Sequence, residues 1–307
     1  MKFRKIKVLV NNSHILSKFY SSFRKKLTKI SPTLNTKVTY LFSKGTSINL
    51  KNPQTLDEKI SWLKLNTYSN NPLIEQCADK YKVREYIRTI GKEDILNDIY
   101  KVYDEINDIR IKDLPQSFVL KWNMGAGGNL IVHDKNRVNL EEELNKLKLW
   151  KYNWDKDKPY LSNAEMQYTN IKPKLILEKY LGNEFGDTPI DYKFYCFNGK
   201  AEYVMLCIGR ETGHPKFYFM DRKWNLVRIN KDGKEADHDF SLPKPTQIDL
   251  MFEYADSLSK PFPFVRTDLY LVDGKIIFGE LTFTPAGGID ANLPAESDLL
   301  LGSMLKL

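Results

Sequence analysis

The stretch FVRTDLYLVDGKIIFGELTFTPAGG, residues 264–288, carries the chemical pattern from which the fold of this chain is inferred. It predicts two antiparallel strands joined by a tight turn at Asp273-Gly274. Alternation along the first strand places Arg266 and Asp268 on one face. The same alternation places Glu280, Thr282 and Thr284 on one face of the return strand, so each strand of the hairpin carries one carboxylate.

Whether the two polar sets share a face depends on the connection between the strands. A strict two-residue turn pairs Asp268 with Gly279 and sends Glu280 to the opposite face. A three-residue loop, or a bulge at Gly274, changes the parity and brings Arg266, Asp268 and Glu280 together. The sequence leaves both arrangements open.

The chemistry of the polar set suggests a metal site. Two carboxylates, Asp268 and Glu280, with the hydroxyl of Thr282 suit a hard cation with oxygen ligands, and magnesium held partly by substrate phosphates is the common case. The alternative is an antiparallel hairpin with a solvated polar face.

Charge is distributed unevenly along the 307 residues. The chain holds 47 Lys/Arg and 39 Asp/Glu, a formal net charge of +8. Residues 1–51 contribute 12 of the basic residues and none of the acidic ones, so the rest carries 35 basic against 39 acidic residues. The basic character belongs to an N-terminal arm, and we expect no nucleic-acid partner.

Helical periodicity is the second feature of this arm. It predicts a basic amphipathic helix that ends before Pro32. Such a helix either lies on an anionic membrane surface, through residues 1–30, or packs on the protein's own core with its lysines solvated. The apolar positions are Leu16, Phe19, Tyr20, Phe23, Leu27 and Ile30.

The hydrophobic and charged fractions of the chain are those of a soluble globular protein. No apolar run has the length of a membrane span, and the N-terminus lacks the apolar core of a secretory signal. Cys77, Cys196 and Cys207 stand in no metal-binding or redox spacing, which favours a reducing compartment. The four scattered histidines argue against a zinc site.

The order of predicted elements is a helical front followed by an α+β region. Helices are expected between Asn52 and Ile90, beginning with a capping box of Thr55 and Glu58. After Leu114-Pro115 the patterns change to short strands. The strands are Phe118–Trp122, Asn129–His133, Lys174–Glu178, Asp191–Phe197, Ala201–Ile208 and Lys216–Phe219, with helices at Leu140–Trp150 and Thr246–Ser259.

A glycine loop lies in FVLKWNMGAGGNLIVH, residues 118–133. Gly125, Gly127 and Gly128 permit positive φ and can turn successive N–H groups toward phosphate oxygens, which Lys121 could also reach. The loop is neither a P-loop nor a Rossmann fingerprint, because a strand follows it and no Gly-Lys-Ser/Thr does. The alternative is a flexible hairpin tip with an exposed lysine.

Taken in order, these pieces resemble the ATP-grasp superfamily. Three segments, DYKFYCFNG (191–199), FPFVRTDLY (262–270) and FGELTFTPAGG (278–288), resemble its TupA-like group, named for teichuronopeptide synthesis, over roughly residues 50–307. The full series runs through Lys80, Lys121, Glu178-Lys179-Tyr180-Leu181, Asp191-Tyr192-Lys193, Arg266-Thr267-Asp268 and Glu280-Leu281-Thr282.

The resemblance implies an α+β, ATP-grasp fold in which two α+β subdomains grip ATP, preceded by a short helical N-terminal region. It divides the chain into a basic amphipathic arm (1–50), a helical front region (51–115), a lid subdomain with the glycine loop (116–180) and a C-terminal subdomain with the metal site (181–307).

The resemblance also implies roles, with ATP and Mg²⁺ as cofactors. The nucleotide-binding residues would be Lys80 and Lys121 at the phosphates, Gly125, Gly127 and Gly128 in the lid, Glu178, Tyr180 and Leu181 at the adenine, Glu184 near the ribose, and Asp191. Asp268, Glu280 and Thr282 would hold magnesium, and Arg266 and Lys193 would steady the transferred phosphoryl group or the acceptor.

Two departures limit what the resemblance implies. The superfamily usually has Asn where this chain has Thr282, and a hydroxyl ligates magnesium more weakly or through water, so the number of metals stays open. The usual front domain, which often helps to bind the acceptor, is missing or replaced by short helices. The acceptor's identity is therefore not implied.

The resemblance implies a carboxylate–amine ligase that works through an acyl phosphate in cell-surface polysaccharide biosynthesis. A cytoplasmic location is expected, at the inner face of the cell membrane if the basic arm binds a membrane surface. Its partners would be small-molecule or glycan carboxylate and amine substrates. The alternatives are an ATP-grasp kinase acting on a sugar or alcohol, and a non-catalytic or glycosyltransferase partner in glycan assembly.

Overall fold

The computed structural model describes residues 13–182, 189–209 and 213–307. Its helices are α1 (His14–Ile30), α2 (Pro32–Lys44), α3 (Leu56–Asn66), α4 (Pro72–Ala78), α5 (Val83–Thr89), α6 (Leu140–Asp157), α7 (Lys231–Glu235), α8 (Ile248–Ser259) and α9 (Ala295–Met304). Its strands are β1 (Ile99–Tyr103), β2 (Phe118–Trp122), β3 (Asn129–Val132), β4 (Leu175–Glu178), β5 (Asp191–Phe197), β6 (Lys200–Ile208), β7 (Lys216–Asp221), β8 (Leu226–Val227), β9 (Phe264–Val272) and β10 (Lys275–Thr282).

The smaller sheet has four strands in the order β1-β4-β2-β3, all paired antiparallel. The glycine loop connects β2 to β3, as the sequence predicts. β1 has no counterpart among the predicted strands. It comes from the front region (51–115) and pairs with β4, with Tyr103 opposite Leu175. The smaller sheet, called the lid sheet below after the predicted lid subdomain, therefore includes a strand from outside the predicted bounds of that subdomain.

The larger sheet has six antiparallel strands in the order β10-β9-β5-β6-β7-β8. Helix α8 covers one of its faces, where Phe194 meets Phe252 with ring centroids 4.9 Å apart. The opposite face carries Arg266, Asp268 and Lys193, since Lys193 pairs with Asp268 and side chains alternate along strands. One face therefore builds the core and the other is left for a polar site.

The predicted helices form, with changes at their ends. Thr55 and Glu58 make the predicted capping box: the Glu58 amide donates to the Thr55 hydroxyl at 3.2 Å and the Thr55 amide donates to the Glu58 carboxylate at 3.3 Å. Helix α6 continues to Asp157, seven residues beyond the predicted end at Trp150. An ion pair between Lys151 and Asp155, four residues apart, supports the added turns.

The N-terminal helix α1 packs on the body along one face. Thr28 is buried, and its hydroxyl donates to the carbonyl of Leu161 at 2.6 Å. Pro32 occupies the first turn of α2, because a proline at that position loses no helical hydrogen bond. In the described residues, no helix is both long and apolar enough to cross a bilayer.

Candidate active site

The hairpin of β9 and β10 decides the geometry of the site. Asp273 and Gly274 form a two-residue turn with φ of 50° and 75°, both left-handed, as a type I′ turn requires. The ladder then shifts, so that Phe278 lies opposite Leu269 while Glu280 lies opposite Asp268. Of the arrangements that the sequence left open, the strict two-residue turn forms, but the register then changes at Gly279, five residues beyond Gly274, where neither alternative placed a bulge.

Gly279 is required at the bulge by space. A Cβ atom there would lie 2.9 Å from the carbonyl oxygen of Asp268 and 3.1 Å from the Tyr270 ring. The strands can approach only because this residue has no side chain. The bulge restores the parity that the tight turn removes, so Arg266, Asp268 and Glu280 share a face.

Arg266 lies at the centre of the resulting cluster. Its Nε and Nη2 donate to the two Asp268 oxygens at 2.7 and 2.6 Å, a bidentate pair. The same Nη2 donates to Glu280 at 3.2 Å and to the Thr282 hydroxyl at 3.1 Å. All three predicted metal ligands therefore contact one guanidinium group.

Two lysines complete the cluster. Lys193 Nζ lies 2.6 Å from Asp268 and also pairs with Asp191 at the start of β5. Lys80, between α4 and α5, lies 3.8 Å from Glu280. Burial raises the pKa of Glu280, but Lys80, Arg266 and Lys193 outweigh it and lower this pKa to about 2, so the carboxylate is ionised at neutral pH.

The lid sheet faces this cluster. Lys121 on β2 pairs with the buried Glu178 on β4 at 2.7 Å. Lys80 Nζ donates to the carbonyl of Gly125 in the glycine loop at 2.6 Å. Lys80 thus connects the lid loop to the hairpin of the larger sheet.

The glycine loop packs against two tryptophans of α6. A Cβ atom on Gly125 would lie 2.2 Å from the Trp154 ring, and one on Gly128 would lie 2.8 Å from the Trp150 ring. Trp150 and Trp154 stack at a centroid distance of 5.3 Å. Close packing against tryptophan is therefore enough to require glycine at positions 125 and 128, whether or not a phosphate group also approaches the loop.

A cavity of about 540 Å³ lies between the lid loop and the hairpin. Five predicted site residues line it: Lys80, Gly125, Arg266, Glu280 and Thr282. Trp150, Trp154, Asn163, Glu165 and Tyr168 line it as well and were missed from the sequence. A sequence signal existed for the tryptophans: they are four residues apart, so both lie on one face of an otherwise highly charged helix.

A second cavity of about 530 Å³ meets the first at Arg266, Pro285 and Ala286. It covers the part of the sheet face beyond β5, where aromatic residues replace the charged ones. Tyr195, Met205, Phe217 and Phe219 form its wall on three adjacent strands. The same cavity is also lined by charged residues, among them Asp57, Asp232 and Asp290. Arg266 therefore lies at the boundary between the two cavities.

Three of the four residues predicted at the adenine and ribose, Glu178, Tyr180 and Leu181, lie within the described residues. Tyr180 and Leu181 are half-buried directly after β4, and Tyr180 contacts His133 with ring centroids 5.7 Å apart. Neither lines either cavity. Glu184 lies outside the described residues.

A family model described as TupA-like ATP-grasp matches residues 58–306. The chain belongs to this family. The α+β fold with its two antiparallel sheets is accordingly an ATP-grasp fold. A search of curated proteins finds no match.

Solved structures similar to this TupA-like ATP-grasp chain include ligases. D-alanine–D-alanine ligase from Bacillus anthracis complexed with ATP is 14% identical, with 76% of this chain and 68% of that chain covered and a TM-score of 0.42. D-alanine–D-alanine ligase from Helicobacter pylori is 13% identical, with 84% of this chain and 70% of that chain covered and a TM-score of 0.43. The ATP-grasp ligase PsnB, complexed with its minimal precursor, Mg and ADP, is 11% identical, with 74% of this chain and 57% of that chain covered and a TM-score of 0.35.

The donor set of the TupA-like ATP-grasp hairpin fits magnesium. Magnesium bound by one or two carboxylates and substrate phosphates needs only the oxygens of Asp268 and Glu280, with Thr282 beside them. The described residues hold no cluster of three or more His, Cys, Asp or Glu side chains suited to a metal, so substrate oxygens would have to complete the coordination.

Proposed function

We propose that this chain is an ATP- and magnesium-dependent carboxylate–amine ligase. One observation carries the proposal: the Gly279 bulge sets Glu280 opposite Asp268, with Arg266 between them, on the wall of a cavity that the glycine loop also lines. A hairpin with a merely solvated polar face would not bury Asp268 to 2% exposure beside two cations.

The nucleotide would lie in the first cavity. Lys80 lines this cavity and Lys121 lies close to Lys80, so their ammonium groups are positioned to bind the phosphates. Lys80 can do so while it keeps its bond to the Gly125 carbonyl, because an ammonium group has three N–H donors. Asp268, Glu280 and Thr282 would hold the metal, which when bound neutralises phosphate charge and orients the phosphates.

The acceptor would lie in the second cavity. A carboxylate oxygen of the acceptor attacks the γ-phosphorus of ATP, the bond to the bridging oxygen breaks, and ADP leaves. The amine then attacks the carbonyl carbon of the acyl phosphate, phosphate departs with the C–O electron pair, and the nitrogen loses a proton. Arg266 borders both cavities, so its charge can stabilise the group in transfer.

We further propose that the product belongs to a cell-surface polysaccharide, formed by a cytoplasmic enzyme at the inner face of the cell membrane. The resemblance to the TupA-like family supports the polysaccharide, and the basic N-terminal arm supports the location. The aromatic wall of the second cavity is compatible with a glycan-borne carboxylate but does not select one.

Hydroxylamine trapping tests the chemistry. The protein is incubated with ATP, Mg²⁺ and a panel of carboxylic acids, first without an amine, and hydroxamate and ADP are measured. A ligase forms hydroxamate in proportion to ADP, because hydroxylamine intercepts an acyl phosphate. Arg266→Met should abolish both products.

The same assay decides between the proposed reaction and the kinase alternative. ADP released with sugars or alcohols, but without hydroxamate, would show transfer to a hydroxyl group. Failure of the protein to bind ADP and Mg²⁺ in calorimetry would remove the nucleotide site itself and leave a non-catalytic role in glycan assembly.

A further inference from the structure

Helix α1 has two faces with different partners. Three side chains on one face bond to the segment 161–163: the Ser21 hydroxyl lies 2.9 Å from that of Ser162, Arg24 donates to Asn163 at 2.7 Å, and Thr28 donates to the Leu161 carbonyl. This face ties the helix to the wall of the first cavity, which Asn163 lines.

The other face of α1 is apolar and exposed. Ile15, Phe19, Phe23 and Ile30 are 79%, 75%, 45% and 78% exposed. Their spacings of four, four and seven residues place them in one stripe along the helix. Within the described chain, nothing buries this stripe, and exposed apolar stripes of this size mark interaction sites.

The charge around the stripe selects the class of partner. Residues 1–30 contain nine Lys/Arg and no Asp/Glu, and Lys18, Lys26 and Lys29 are exposed on α1 itself. A second copy of this chain would present the same positive charges and be repelled. Lys18 and Lys29 lie beside the stripe and Lys26 lies within it. An anionic lipid interface accepts such a face, because long lysine side chains can reach the headgroups while the apolar side chains are buried.

Docking through the stripe leaves the bonds of the opposite face intact. The wall of the first cavity at Asn163 would then stand about one helix diameter, roughly 10–12 Å, from the plane in which α1 lies. We propose that α1 is an interfacial helix that binds anionic membrane through Ile15, Phe19, Phe23 and Ile30 while Arg24 holds the nucleotide cavity beside that membrane. Membrane binding by α1 would account for the proposed location at the inner face of the membrane, and it does not depend on the ligase chemistry.

Co-sedimentation with vesicles tests the proposal. Full-length protein should bind phosphatidylglycerol-containing vesicles at low salt, and at least tenfold more weakly at high salt or with pure phosphatidylcholine. The double variant Ile15→Ser/Phe19→Ser should lose at least tenfold in partition. The matched control Leu149→Ser/Leu299→Ser, which removes two side chains that are 59% and 54% exposed elsewhere, should bind as the natural protein does.

Three outcomes would overturn the inference. They are equal binding by the stripe variant and the control, binding that ignores lipid charge, and a lipid-free dimer that the stripe variant abolishes, which would assign the stripe to a second copy. ADP affinity is measured in parallel, because its loss would reject the nucleotide site rather than the membrane surface. Quenching of Phe19→Trp fluorescence by brominated lipid, absent for Leu149→Trp, would support burial of the stripe.

Discussion

At the residue scale, the candidate site holds internal cations on the oxygens that a metal needs. Arg266 bonds to Asp268, Glu280 and Thr282, and Lys193 bonds to Asp268. These contacts offset the cost of burying the carboxylates. At the proposed metal site, magnesium would therefore compete with the Arg266 guanidinium for the same oxygens, and each would substitute electrostatically for the other.

This competition predicts the behaviour of Arg266→Met. Removing one partner of a buried pair should destabilise the fold by about 3 kcal/mol, the lower end of the usual range, because Lys193 remains. Mg²⁺ should restore part of this loss and stabilise the variant more than the natural protein, since the metal supplies the missing charge. Urea unfolding with and without Mg²⁺ measures both effects.

The matched control is Arg222→Met, which breaks the bidentate pair with Asp256 away from the site. Mg²⁺ should give that variant no added stability. An equal response of the two variants to Mg²⁺ would contradict a metal site at the hairpin.

The pKa of Glu280 predicts a dependence of stability on pH. Its folded pKa is about 2, against an ordinary value of 4.5. The ionised Glu280 carboxylate contributes fully to the free energy of unfolding above pH 4.5. This contribution is lost as pH falls toward 2, because Glu280 takes up its proton at a higher pH in the unfolded chain than in the folded one. Glu280→Gln should therefore be more destabilising at pH 6 than at pH 3 in urea unfolding. The same difference at both values would show that the three cations do not hold this carboxylate ionised.

At the scale of elements, the lid loop is held between α6 and Lys80. Gly125 has a φ of +65°, its carbonyl accepts from Lys80, and its missing Cβ leaves space for Trp154. A change at this residue therefore acts on the backbone, on the packing of the loop and on Lys80, the proposed phosphate-binding lysine, together.

Gly125→Ala should weaken ADP binding at least tenfold and change tryptophan emission, because the methyl group pushes the loop off Trp154. Gly91→Ala separates strain from packing. Gly91 has nearly the same φ, +66°, with no atom within 4 Å of an added Cβ. Gly91→Ala should therefore lower the free energy of unfolding only through backbone strain, by about 1 kcal/mol. Calorimetric titration with ADP distinguishes the two, and equal affinities would mean that the loop does not contact the nucleotide.

The elements show what sequence reasoning reaches. The alternation of polar and apolar residues and the turn residues were sufficient to predict β2, β5 and the hairpin, because these two signals depend only on neighbouring residues. The quoted motifs were sufficient to predict the family and the fold. The Gly279 bulge was missed because it depends on contact with the Asp268 carbonyl across the ladder. The Trp150 and Trp154 wall was missed for the same reason: burial against a loop more than twenty residues away leaves only a faint trace in sequence.

At the scale of the whole molecule, the N-terminal helix α1 lies outside the first cavity but is bonded to its wall at Asn163. Arg24 bonds to Asn163, whose amide donates to Glu165 at 3.1 Å, and Glu165 accepts from Thr284 at 2.6 Å. Lys64, almost fully buried, donates to the Asn163 carbonyl at 2.8 Å. Asn163 is thus the point at which the arm, the front helices and the hairpin end meet.

This junction predicts that Arg24→Ala acts at a distance. The lost bond from a charged donor is worth about 1.5–3 kcal/mol, enough to loosen α1 and free Asn163 and Glu165, so ADP affinity should fall severalfold although Arg24 lies outside the cavity. Hydrogen exchange over residues 14–30 should rise together with it. Lys26→Ala, an exposed change on the same helix, should alter neither. If Arg24→Ala speeds exchange in α1 but leaves ADP affinity unchanged, the arm is attached to the cavity wall without supporting it.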